Sequence, residues 1–178
     1  MTASYLRACG ASWLRYDLQC PIVTFERGLA EYHGYNAAPD LFAMTKARQT
    51  IEVEIKTSFA DFKANFEKRI IFMQKRGFVQ KPFQFFFLVP PGLVEKVKAS
   101  ALITWEGILT PDGRKNPYTG LPGITVALPC KPNKKARKLD TKQLVTLVRN
   151  QSGSLVTALV NEAKNLLMET QPLSTPKM

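Results

Sequence analysis

Asp40, Glu54 and Lys56 have the types and spacing to do chemistry. Glu54 and Lys56 fall in "TIEVEIKTSFADF", Thr50 to Phe62, where a strand would place them on one face together with Glu52. Ile51, Val53 and Ile55 take the other face and belong to a core. The charged face is then either a solvated surface or a site. If "DLFAMTK", Asp40 to Lys46, turns through "ARQ" and pairs with Thr50 to Lys56, Asp40 falls roughly opposite Glu54 or Ile55. Opposed carboxylates repel. A hard divalent cation, usually held by one or two carboxylates plus waters and phosphates, removes that conflict. A neighbouring lysine can orient or deprotonate an attacking water, and the set suits hydrolysis of a phosphodiester.

The elements that must hold these residues can be read on either side. "VTFERGLAEYH", residues 23 to 33, reads as a short helix with Thr24 as N-cap. Ser58 starts a stronger helix. Its spacing to Asp61 is close to a capping box, and Phe59, Phe62, Phe66 and Ile70 make one apolar stripe. "FQFFFLV", Phe83 to Val89, is apolar throughout and predicts a central strand covered on both faces. A short helical stretch follows near Leu93 to Ala99, then a strand at "WEGILT", a turn at "PDGRK" and a further strand at "ITVAL". Helical patterns run from about Leu139 to Asn150 and from Ser154 to Glu169. The whole reads as a mixed α/β core over residues 1–129, with a basic, mostly helical appendage over 130–178 that packs on it.

Composition narrows the partner. With 178 residues and 45% hydrophobic content, a folded domain with a sizeable core is expected. No apolar run is long enough for a membrane span, so no membrane partner is expected. Cys9, Cys20 and Cys130 form no CxxC pair, and His33 is the single histidine, which argues against structural zinc and for a reducing cytoplasm. The formal net charge of +11 points to an anionic partner, nucleic acid first. "CKPNKKARKLDTK" alone carries Lys131, Lys134, Lys135, Arg137, Lys138 and Lys142 against Asp140. Candidate phosphate contacts are Lys46, Arg48, Lys63, Lys75, Arg76, Lys134, Lys135, Arg137 and Lys138.

Pro39-Asp40 followed by Glu54-Ile55-Lys56 on the second strand of a hairpin resembles the PD-(D/E)xK nuclease superfamily. The longer "EVEIKTSFADFKANF" and "FQFFFLVPPGL" are similar to its small phage and bacterial branch of MmcB-related DNA-repair nucleases, over roughly residues 23 to 110. The resemblance implies a restriction-endonuclease-like core and a Mg²⁺- or Mn²⁺-dependent deoxyribonuclease. It makes Asp40, Glu54 and the Ile55 main-chain carbonyl metal ligands, Lys56 the catalytic lysine, and Glu26 a further catalytic and metal-binding glutamate. Gln74 stands where some branches carry a glutamine, but Phe78 replaces the expected tyrosine. The resemblance leaves open the strandedness of the DNA, endo- or exonucleolytic cleavage, and a homodimer.

Neither fragment carries weight alone. The [DE]xK pattern also occurs at Asp61, Asp140 and Glu162, and a second Pro-Asp stands at Pro111-Asp112. What distinguishes Glu54 to Lys56 is its strand patterning, a Pro-Asp one hairpin away and a capped helix just after it. The alternative reading is a non-catalytic nucleic-acid-binding module on the same fold.

Overall fold

β1 (Ile22–Phe25), β2 (Leu41–Met44) and β3 (Thr50–Ile55) form an antiparallel meander. β4 (Gln84–Leu88) and β5 (Gly107–Lys115) continue the sheet parallel to β3, and β6 (Pro122–Leu128) closes it antiparallel to β5. The result is one six-stranded mixed sheet with strands in chain order, flanked by helices. This computed structural model describes residues 1–25, 39–65, 81–149, 151–153 and 160.

One face is covered by α1 (Ala3–Ser12), which continues into a π-helical turn at Trp13–Asp17. Leu6, Cys9, Trp13 and Leu14 join a cluster with Val23, Leu41, Val53, Ile55, Phe86 and Leu88. Gly10 permits this close approach, because a Cβ there would lie 2.8 Å from side-chain carbons of Leu41 and Leu88. The opposite face is covered by α2 (residues 59–65), α3 (Val94–Ala99) and α4 (residues 141–149). Phe62 meets Phe87 edge to face at 5.0 Å between ring centroids. Leu139 and Leu147 are buried against Ile22, Phe42 and Met44. The expected C-terminal helix therefore packs on β1 and β2 through Leu139 and Leu147, and Asp140 and Gln143 cap its start reciprocally.

Several expectations need correction. Residues 22–25 form a strand, where a helix over 23–33 is predicted. Ile22, Val23 and Thr24 are β-branched, and Thr24 lies buried in the sheet rather than capping a helix. Residues 26–33, with Glu26 and His33, lie outside the described residues. The β2 strand ends at Met44, so the connection runs from Thr45 to Gln49 and is wider than "ARQ". Pro111-Asp112-Gly113 continues β5 through an irregular stretch of its ladder, and the turn moves to Asn116–Gly120. There Asn116 Oδ1 accepts the amides of Tyr118 and Thr119, which fixes the turn. The N-terminal helix has no counterpart in the sequence reading.

Candidate functional site

Strand alternation places Glu52 and Glu54 on the α2-covered face, one row apart. The ladder sets Glu52 between Phe42 and Phe85, and Glu54 beside Phe87. Leu41 pairs with Val53, so Asp40, one residue earlier, comes level with Glu54. Its carboxylate is held there by the neighbouring strand: the Ile55 main-chain N–H donates to Asp40 Oδ2 at 2.7 Å. The expected hairpin geometry is thus met at the end of the sheet where β3 finishes.

Lys56 follows directly. Its main-chain N–H donates to the Leu88 carbonyl, which keeps the residue in line with β4. Its side chain is only 7% exposed, and Nζ stands 3.5 Å from Glu54 Oε2 and 3.9 Å from Asp61 Oδ1. Asp61 is presented by the first turn of α2, where the Ser58 hydroxyl accepts the Asp61 amide as a cap. A solvated strand face is therefore ruled out. Glu52 and Lys56 are buried, and Glu54 is nearly so.

Burial pushes the Glu54 carboxyl up to about 7; Lys56 pulls it down, while Asp40 and Glu52 add to the rise. Three acidic side chains thus act on one another beside one lysine. On the other side, Arg7 of α1 brings a guanidinium nitrogen to 3.6 Å from Asp40 Oδ1.

The donor chemistry fits a hard divalent cation. Asp40 and Glu54 supply carboxylate oxygens from adjacent strand ends, and two carboxylates suffice for Mg²⁺ when waters or phosphates complete its shell. Among the described residues no group of three or more Asp, Glu, His or Cys side chains is arranged to hold a metal by itself. A cation here would depend on waters, the main chain or substrate oxygens for its remaining ligands.

The candidate phosphate contacts are not all brought to this site. Lys46 and Arg48 lie in the β2–β3 turn, at the far end of the hairpin from Asp40 and Glu54. Lys134, Lys135, Arg137 and Lys138 lie on the segment that crosses that same far edge. Lys63 is exposed on α2, which begins beside Lys56. Glu26, Gln74, Lys75, Arg76 and Phe78 lie outside the described residues.

Two neighbours escaped the sequence reading. Asp61 had a signal, since the first turn of a helix starting so soon after a strand must lie near that strand's end. Arg7 had none, because only the packing of α1 across the sheet brings it to Asp40.

No protein-family profile and no curated protein matches the chain. Among solved structures, a protein of unknown function from Silicibacter pomeroyi is similar, with a TM-score of 0.59 at 15% identity over 98% of this chain and 97% of that one. At that identity the likeness is one of fold, an α/β architecture shared along almost the full length of both chains.

Proposed function

We propose that the protein is a Mg²⁺- or Mn²⁺-dependent DNA nuclease with its active site at the end of β3. One observation carries this reading: a buried lysine, Lys56, stands 3.5 Å from the carboxylate of Glu54, level with Asp40 on the paired strand. The finer fold assignment, a restriction-endonuclease-like core, belongs to the same proposal. It is supported by the antiparallel meander of β1 to β3, by α2 starting directly after Lys56, and by β4 returning parallel beside β3.

In this reading Asp40, Glu54 and the Ile55 main-chain carbonyl would hold the cation, and Glu26, outside the described residues, is the further ligand that the resemblance implies. The cation supplies charge neutralisation at the scissile phosphate and favours ionisation of water. Ile55 holds the Asp40 carboxylate in place through its N–H. Lys56 orients the attacking water as an ammonium, or accepts its proton as the neutral amine, and its burial beside the start of α2 keeps bulk water from competing for that nitrogen. Glu54 and Asp61 flank the ammonium and fix where it points. Arg7 offsets part of the charge of Asp40.

The test is cleavage of supercoiled plasmid and labelled oligonucleotides with Mg²⁺, Mn²⁺ or EDTA, comparing the wild type with Lys56→Ala. Metal-dependent cutting that the variant loses is the expected result. If neither protein cuts under any condition while both bind DNA, the non-catalytic binding module replaces this reading.

A further inference from the structure

After β6 the chain turns back and runs along the edge of the sheet where the parallel strands begin. The Lys131 N–H donates to the Trp105 carbonyl just before β5, the Asn133 N–H to the Phe83 carbonyl just before β4, and the Leu139 N–H to the Arg48 carbonyl in the β2–β3 turn. Asn133 Nδ2 adds a bond to the Lys81 carbonyl. Between those ties Lys131, Lys134, Lys135, Arg137 and Lys138 are exposed. Lys46 and Arg48 are exposed on the adjoining turn, and Lys81 reaches over the Trp105 ring at 5.4 Å. Among the described residues, two acids on these segments have structural tasks: Glu106 is buried and accepts from Thr104 and Trp105, and Asp140 caps α4.

Glu54 and Lys56 are at the other end of β3. From Thr50 to Lys56 is six residues, so the two ends are about 15–20 Å apart at roughly 3.3 Å per residue. Cations fixed on a strapped backbone at that distance cannot touch a phosphate at the carboxylate site. They can touch the same polyanion further along.

We propose that this basic rim is a second phosphate-binding surface, which grips the backbone of a DNA substrate away from the bond being cut. The inference rests on the nuclease reading for its substrate, and it adds that the substrate must be a polynucleotide reaching both ends of the sheet. Phosphates follow one another every 3.4 Å per strand along a duplex. The rim is therefore reached about four to six nucleotides from the scissile position.

Fluorescence anisotropy of a labelled 30-base-pair duplex, in EDTA and across a salt series, tests it on the full chain. The variant Lys134→Gln/Lys135→Gln/Arg137→Gln/Lys138→Gln should bind at least ten-fold more weakly. Its slope of log affinity against log salt should be shallower by about three to four, near 0.9 per lost phosphate contact. Lys46→Gln/Arg48→Gln, altering exposed turn side chains alone, should reproduce a smaller loss in the same direction. Unchanged affinity and slope in both rim variants would overturn the proposal. Because binding is read without cleavage, the rim and the nuclease reading fail separately: a protein that never cuts but loses DNA with its rim keeps the first and discards the second.

Discussion

Asp40 and Ile55 are joined across the open end of the β2–β3 hairpin by a 2.7 Å hydrogen bond from main chain to carboxylate. This bond gives Asp40 a structural task. Asp40→Ala should cost about 1–3 kcal/mol, since a partly buried amide loses its acceptor. Asp40→Asn keeps an oxygen for that amide and should lose most cation affinity with a much smaller stability change. Urea denaturation and Mn²⁺ titration of the two variants separate the effects; equal destabilisation by both would show that charge, and not the bond, holds the strand end.

Arg7 stands where a cation would compete with it for Asp40. Arg7→Gln should bind Mn²⁺ several-fold more tightly than the wild type at low salt, because a positive charge near the carboxylates is gone. Titration calorimetry reads this directly. Weaker binding in the variant would mean that the arginine positions Asp40 rather than competing for it.

Glu54 links stability to pH. Its folded carboxyl keeps its proton to about pH 7, while the ordinary value is 4.5, so the folded state binds more protons across that window. Stability of the metal-free protein is then greatest below about pH 4.5 as far as this group is concerned, and falls as pH rises through 7. The loss is on the order of 3 kcal/mol at most, at 1.36 kcal/mol per pKa unit. Glu54→Gln should flatten that part of the profile in denaturant midpoints taken from pH 5 to 8. A variant with the wild-type slope would assign the linkage elsewhere.

Lys56→Ala should reduce cleavage by about 10²- to 10⁴-fold, the usual span for a group that handles a proton in the transition state. Mn²⁺ affinity should survive, since the carboxylates remain. Loss of metal binding along with activity would instead make Lys56 a support for Glu54.

Leu147 is fully buried between α4 and the β1–β2 face. Leu147→Ala should cost about 2–5 kcal/mol through lost burial and the cavity left behind. If thermal unfolding of the variant matches the wild type, α4 contributes nothing to the fold's stability.

Much of the site was legible because strand geometry is local. Period-two alternation alone puts Glu52, Glu54 and Lys56 on one face and Ile51, Val53 and Ile55 on the other, and hairpin closure brings Asp40 level with them. The Ser58 cap, the apolar run of β4 and the helical pattern of α4 were equally local. The strand at residues 22–25 and the continuation of β5 through Pro111 were decided by pairing partners, which override a weak helical or turn pattern. Only tertiary structure could decide the rest. Burial of the charged face depends on α2 and the phenylalanines of β4 closing over it, and Arg7 reaches Asp40 because α1 crosses the sheet. The basic segment lies at the far edge because its backbone bonds to three separate strand ends. Sequence fixes which residues share a face; long-range packing sets what covers that face and how far away the next charge stands.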